Sequence, residues 1–583
     1  MPSDDSQHGP SEAERSLDTL RHTASHVMAH AVTRLFPGVK LAIGPAIADG
    51  FYYDFDLAAG FTREDLERIE AEMRRVIAED IPLVRLELPR EEALRRMEHL
   101  GQTYKAELLQ DIPDPTVTLY EQGGFVDLCR GPHLPSTGGV RAFTLLSIAG
   151  AYWHGDERGP MLTRIYGTAF PTQGELDEHL RLLEEAKRRD HRKLGKDLDL
   201  FSFHEEGPGF AIFHPKGMIL WNQLMGFWRQ LHTEAGYHEL RTPILLRKAV
   251  WERSGHWDKY RDKMYVTEID QDEYGIKPMN CVGSILFYRT RLRSYREFPL
   301  RVAEVGIVHR HEKSGELHGL LRVRQFTQDD AHIYMTEAQI RNEVIGVMDL
   351  VDKVYSTFGL PYRLELSTRP DVRIGSDEMW EAATSGLRGA LDAKGLPYKI
   401  NEGEGAFYGP KIDYHIRDCL GRTWQCATIQ LDFAMPERFD LTYVGPDNQR
   451  HRPVMIHRVV YGAIERFIAV LTEHFGGEFP LWLSPEQARV VPVTDAQVPY
   501  AEQVAARLRG AGLRVAVDAR SEKVGFKIRE ATLGKLPYVL VAGPRETEAG
   551  TVALRKRREG DLGPAPLDDV VQRLSQEVAA KTR

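Results

Sequence analysis

Apolar side chains recur at Leu17, Leu20, Ala24, Val27, Ala31 and Leu35, and this spacing predicts an amphipathic helix over residues 17–35. His22 and His26 fall on the side away from that stripe, one turn apart. A narrower stripe, Leu176, Leu180 and Leu183, runs through a charged segment and predicts a solvent-bridging linker helix over 173–195. Residues 210–236, rich in Trp and Leu, read as a loop and then a helix. Beyond them the period changes to that of strands. Leu300–Val308 and Phe326–Tyr334 read as a hairpin joined through a Ser-Gly loop, with Gln328, Asp330 and His332 on one face. Cys281 precedes an apolar helix, and His457 ends a short strand that passes into a helix carrying Arg466. From Ala488 to Gly543 the pattern alternates as βαβαβ, predicting a small α/β domain. These changes divide the chain into a polar tail (1–16), an N-terminal α+β domain (17–172), the linker helix (173–195), a large central domain (196–483) and a C-terminal domain (484–583).

Length and composition agree with a multidomain soluble protein: 583 residues, 42% hydrophobic and 28% charged. The net charge of −9 neither favours nor excludes nucleic acid, since binding depends on local basic patches. Four scattered cysteines, Cys129, Cys281, Cys419 and Cys426, fit a reducing compartment and remain free for chemistry. No apolar run has membrane-spanning length and the N-terminus is polar, so a cytoplasmic protein without a membrane partner is expected.

Two stretches concentrate chemistry. The hairpin gathers Arg310, Glu312, Arg322 and Arg324 beside the Gln328, Asp330, His332 face. Buried polar groups need partners, so this face expects a polar ligand, and guanidinium forks suit phosphate oxygens. In the N-terminal domain, His22 and His26 find possible companions in Asp127, Cys129 and His133. Two His/Cys pairs at four-residue offsets fit a metal, and they equally fit a cleft that positions a hydrolytic water.

Arg310-His311-Glu312 at a strand end resembles motif 2 of the class II aminoacyl-tRNA synthetases, and FTQDDAH resembles the threonyl-tRNA synthetase family within them. The helix and Tyr237–Pro243 resemble motif 1, which forms the dimer interface, and the segment after His457 resembles motif 3. HTASH, AIGPAIADGFYYDFD, TYK and DLCRGPH are similar to the editing domain of the bacterial enzymes. The small ubiquitin-like module that usually precedes that domain is expected to be missing.

The resemblance implies an α+β architecture with an antiparallel catalytic sheet, an editing domain and an anticodon-binding domain. It implies a homodimer that uses ATP, L-threonine and tRNA(Thr). Cys281, His332 and His457 would bind one Zn²⁺ per chain, which requires the fold to bring them within reach of one ion. Arg310 would contact the α-phosphate, Glu312 the adenine edge and Arg322 the other phosphates, with Mg²⁺ accompanying ATP. Arg466 would lie over the adenine, and Gln425 and Thr428 would serve ribose and substrate. Met279, Asp330, Tyr408 and Gln430 would hold threonine, with Gln328 and Lys411 at the reacting groups. His22, His26, Lys105, Asp127, Cys129 and His133 would line a site that hydrolyses seryl-tRNA without zinc. Glu546 and Arg555 would read anticodon bases.

A physical rationale joins the two sites. An apolar pocket separates a hydroxyl from an isosteric methyl by only about 10²-fold, whereas a Lewis acid that both the amino group and the hydroxyl must reach excludes valine. Serine keeps the hydroxyl and must be removed elsewhere. Val282 and Ser284 stand where the family has Pro and His, Ala427 follows Gln425-Cys426 where Gly is familiar, and Ala463 stands where serine is common. These departures put acceptor-end positioning near Ser284 in question. The rival readings are a prolyl or seryl synthetase and an RNA-binding regulator that has lost catalysis.

Overall fold

The computed structural model describes residues 12–156, 158–418 and 421–583 and divides into two compact units, Met1–Glu184 and Glu185–Arg583. Cys419 and most of the polar tail lie outside the described residues.

In the first unit the long helix is Glu12–Leu35, starting earlier than its apolar stripe. It packs on an antiparallel sheet built from Gly50–Asp56, Met161–Phe170 and Ala142–Tyr152. A second helix, Arg63–Ala78, is started by a reciprocal cap between Thr62 and Asp65. A smaller sheet, Leu83–Pro89, Thr116–Gln122 and Phe125–Leu128, ends beside Cys129. The helix is enclosed on nearly every side. His26 is therefore buried rather than turned away from the interior as its helical position implied, because the sheets cover the face opposite the apolar stripe. The linker is also not one helix. It runs as Gln173–Arg189 and His191–Asp197, and Asp190 starts the second piece by accepting the Arg192 N–H.

The second unit is built on an eight-stranded sheet whose order is His238–Glu239, Leu300–His309, Gln325–Met335, Val454–Val459, Thr423–Asp432, Lys411–Arg417, Tyr362–Ser367 and Tyr398–Asn401. All its pairings are antiparallel except the outermost on each side, so the expected antiparallel sheet is present. Side-chain alternation sorts its two faces. Ala331, Ile333, Ile429, Leu431, Ile412 and Ile456 join a core with the helices Pro215–Glu234, Ile340–Phe358 and Ile464–Phe475. Their neighbours point the other way and make the site.

Residues 488–566 form a five-stranded sheet in which Val515–Val517, Ala488–Pro492 and Tyr538–Ala542 are parallel, as the βαβαβ pattern predicts. Thr551–Lys556 and Gly560–Pro566 extend it antiparallel. Pro499 occupies the second position of its helix, Val498–Gly510.

Candidate active site

Strand register assembles the site. His332 pairs with His457, His457 with Gln430, and Gln430 with Lys411, so four polar side chains from four neighbouring strands form one row on the face away from the helical core. Two cavities open on this face. One, of about 280 Å³, is lined by Met279, Cys281, Asp330, Tyr408, Lys411, Gln430 and His457 among others. The other, of about 400 Å³, is lined by Glu312, Arg322, Phe326, Gln425 and Arg466 among others. Arg310, Gln328, Thr428 and Val459 line both.

The second cavity is cationic at its rim and already ordered. Arg310 lies over the Phe326 ring, 5.0 Å from its centroid, and donates from Nε to the Pro278 carbonyl at 3.2 Å. Glu312 pairs with Lys263 at 2.8 Å and with Arg322 at 3.1 Å. Burial would raise this carboxyl, but the two cations prevail and hold it down at about 2. Arg466 donates from Nε to the Leu321 carbonyl at 3.0 Å and from Nη1 to the Gln425 carbonyl at 3.2 Å. Arg324 is spent on the carbonyls of Glu312 and Pro208, so this member of the predicted arginine cluster is structural.

Asp413 organises the far wall, accepting from Lys411, from Gln425 Nε2 at 2.6 Å and from Thr428 Oγ1 at 3.0 Å. Gln430 Nε2 donates to the Gly409 carbonyl at 3.0 Å. In the first cavity Asp330 accepts from Asn280 Nδ2 at 3.2 Å, and burial lifts its carboxyl to about 6. The Tyr408 hydroxyl reaches Met279 Sδ at 4.0 Å.

The expected metal triad converges without closing. His332 and His457 face each other edge to face, ring centroids 5.0 Å apart, and Cys281 lines the same cavity as His457. Among the described residues, the His, Cys, Asp and Glu sets whose donor atoms all lie within 4.8 Å of one another are His22/His26/Cys129/His133 and Asp190/His191/Glu473. Cys281, His332 and His457 are not such a set, and His457 Nε2 is instead drawn to Asp432 Oδ2 at 2.8 Å. The donor chemistry nonetheless fits a zinc ion. His332 Nε2 is buried without a hydrogen-bond partner, and Asp432 anchors one His457 nitrogen as carboxylates anchor ligating imidazoles. Burial, with Asp330 and Asp432 nearby, pushes the Cys281 thiol far up, the penalty that a bound cation removes.

The predicted N-terminal residues do come together. Cys129 Sγ lies 3.2 Å from both His22 Nε2 and His133 Nε2, and Lys105 pairs with Asp127 at 2.6 Å in the interior. Tyr53 donates to Asp127 at 2.5 Å, and His26 Nε2 lies 3.6 Å from it. These four thiol and imidazole donors are near enough to hold a cation, and they fit a positioned water as well. Burial pushes the Cys129 thiol up to about 11 and the His133 imidazole down to about 2, and it lowers His26 well below its ordinary value. These imidazoles are therefore neutral when folded and titrate near 6.5 when unfolded. Below that pH the unfolded chain takes up protons that the folded unit refuses. Acidification is expected to destabilise this unit by about 1.4 kcal/mol per pH unit for each such imidazole. Calorimetry of the full chain between about pH 7 and pH 5 checks this, and a first-unit transition indifferent to pH would contradict it.

Three stretches match models of known families: residues 117–166 the threonyl and alanyl tRNA synthetase second additional domain, 265–475 the class II tRNA synthetase core domain (G, H, P, S and T), and 487–577 an anticodon binding domain. A threonine-tRNA ligase of Desulforamulus reducens is 60% identical over 570 residues, covering 98% of this chain and 90% of its own length. The chain belongs to the threonine-tRNA ligase family. A second relative of that name, from Clostridium tetani, is 59% identical over 566 residues, covering 97% of this chain and 89% of its own length. A solved structure titled as the RNA binding domain of threonyl-tRNA synthetase from Cryptosporidium parvum superposes with a TM-score of 0.65 at 40% identity, over 67% of this chain and 98% of that one.

Several side chains that shape this synthetase site gave no usable signal in the sequence. Asp329 points to the helical face, where it accepts the N–H groups of Val460, Tyr461 and Gly462 at 3.0, 3.0 and 2.9 Å and the Trp228 indole at 3.2 Å. It thereby shapes the turn leading to Arg466. His256, fully buried, approaches Met279 Sδ at 3.2 Å and Cys281 Sγ at 4.0 Å. Ser284, the departure that raised a question about the acceptor end, is buried and bonded to the Tyr334 hydroxyl at 2.8 Å, so it is absorbed by packing. In the anticodon binding domain, Glu546 caps its own helix through the Gly543 N–H at 3.0 Å, and Arg555 pairs with Asp561 at 2.7 Å.

Proposed function

We propose that this protein is a threonine-tRNA ligase that makes threonyl-adenylate from L-threonine and ATP, passes the threonyl group to the 3′ end of tRNA(Thr), and hydrolyses seryl-tRNA(Thr). The observation that carries the reading is the pair of cavities sharing Arg310, Gln328, Thr428 and Val459: one also lined by Arg322 and Arg466, one smaller and lined by hydrogen-bonding groups. A carboxylate held in the smaller cavity would lie next to a phosphate held in the larger.

Arg310, on the shared wall, would meet the α-phosphate as the threonine carboxylate oxygen attacks it and pyrophosphate leaves. Arg322 and Arg466 would neutralise the remaining nucleotide charge, with Mg²⁺ on the phosphates and Glu312 on the adenine edge. Gln425 and Thr428, held by Asp413, would serve the ribose, with Lys411 beside them at the carboxylate or phosphate. Asp330 and Tyr408 would hold the amino group, with Met279, Gln328 and Gln430 completing the pocket. Zinc on Cys281, His332 and His457 would supply a Lewis acid for the amino group and side-chain hydroxyl.

In the first unit, His22, His26, Cys129 and His133, the imidazoles neutral because buried, would position an attacking water, with Lys105 and Asp127 orienting the ester. Glu546 and Arg555 would give up their present partners to anticodon bases. The domain boundaries read from the sequence, a homodimer and a cytoplasmic location belong to the same reading. No helix among the described residues is long and apolar enough to cross a membrane.

ATP–pyrophosphate exchange against threonine, serine, valine and proline tests this. Threonine should support exchange, serine more weakly by about 1–3 kcal/mol in transition-state binding, and valine and proline negligibly. Proline-dependent exchange, or tRNA binding with no exchange, would replace the proposal with one of its rivals.

A further inference from the structure

His191, at the start of the helix His191–Asp197, is completely buried behind the nucleotide-side cavity and belongs to none of the groups assigned above. Its Nε2 accepts the Leu320 N–H at 3.0 Å, which leaves the ring proton on Nδ1, 2.7 Å from Glu473 Oε1. The His191 main-chain N–H donates to the same carboxylate oxygen at 3.1 Å. Both ring nitrogens are used, so the closeness of Asp190, His191 and Glu473 is that of a hydrogen-bonded joint rather than of a metal site.

The joint holds the turn Gly319–Leu321. The Leu321 carbonyl accepts from Arg466 Nε at 3.0 Å, and the next residue, Arg322, reaches Glu312. Arg466 and Glu473 lie on one helix, Ile464–Phe475. That helix therefore grips the turn twice, directly through Arg466 and indirectly through Glu473 and His191. Gly319 has φ +49°, and a Cβ there would stand 2.2 Å from His191 Nε2. Its glycine lets the turn close onto the imidazole.

We propose that His191 is a positioning residue for ATP: it fixes the turn so that Arg322 and Arg466 are set for the nucleotide before it arrives. The proposal rests on the reading that those arginines bind ATP.

The experiment is ATP–pyrophosphate exchange on the full chain, with KM measured separately for ATP and threonine and seryl-tRNA hydrolysis run in parallel. His191→Leu should raise KM for ATP on the order of 10-fold, the effect of a lost buried hydrogen bond. KM for threonine and seryl-tRNA hydrolysis should stay unchanged. His191→Gln, whose amide oxygen can accept the Leu320 N–H, should restore KM for ATP to within about 2-fold of the parent, and Gly319→Ala should reproduce the His191→Leu defect. An unchanged KM for ATP, or equal rises in both KM values, overturns the proposal. If His191→Leu does not fold, Gly319→Ala decides by the same readings. Arg466→Ala separates the two levels: no ATP defect there sinks the functional reading, whereas an ATP defect there without one in the His191 and Gly319 variants sinks this inference alone.

Discussion

Replacing Cys281 by alanine is expected to remove one zinc ion per chain and to lower threonine-dependent exchange on the order of 10²–10³-fold, the usual loss when a group that stabilises reacting charge is removed. The expectation follows from burial. Cys281, His332 and His457 all lie in the interior, and His332 Nε2 has no hydrogen-bond partner. A buried imidazole nitrogen without a partner is costly, as is a buried thiol whose contact with His256 Nε2 is 4.0 Å long, and a shared cation turns both into ligands. Cys129→Ala should leave zinc at one ion per chain, because the N-terminal cluster is expected to work with water. Metal analysis of the parent and both variants checks the claim. Unchanged zinc and exchange in Cys281→Ala would remove the metal from the mechanism, and zinc lost through Cys129→Ala would move it to the other unit.

The largest effect on stability is expected at Asp329. Its carboxylate accepts three successive main-chain N–H groups and an indole N–H, close to the buried Arg458. Asp329→Ala would leave all of these donors in the interior without an acceptor and is expected to cost about 3–5 kcal/mol. The turn before Arg466 would loosen as well, so exchange should fall together with stability. Urea unfolding of the second unit measures the first effect, and a loss below about 1 kcal/mol would show that the turn is held by other means.

The sequence carried the hairpin well, because a period of two over Phe326–Tyr334 leaves no ambiguity about which residues share a face. It also placed Gln328, Asp330 and His332 together. The same alternation concealed Asp329. Its side chain goes to the opposite face, which for a half-exposed strand means solvent, but this strand is central and covered on both sides. Asp413 was invisible for a similar reason, since its importance comes from Lys411, Gln425 and Thr428 meeting across a strand pair whose register no local pattern reveals. His26 was misjudged because a helix presents an apolar stripe to one partner only, whereas here two sheets enclose it. The residue types of the proposed metal triad were legible, but the direction in which His457 turns depends on Asp432, which local sequence does not tie to it.

The wall that the two cavities share has a practical bearing on altering the choice of amino acid. Arg310, Gln328, Thr428 and Val459 each face both spaces, so no change to them can retune one substrate and spare the other. Met279, Ala406 and Tyr408 border the smaller space alone. Efforts to make this enzyme activate a non-natural hydroxy amino acid should begin with those three, where a gain in selectivity does not entail a weaker grip on the nucleotide.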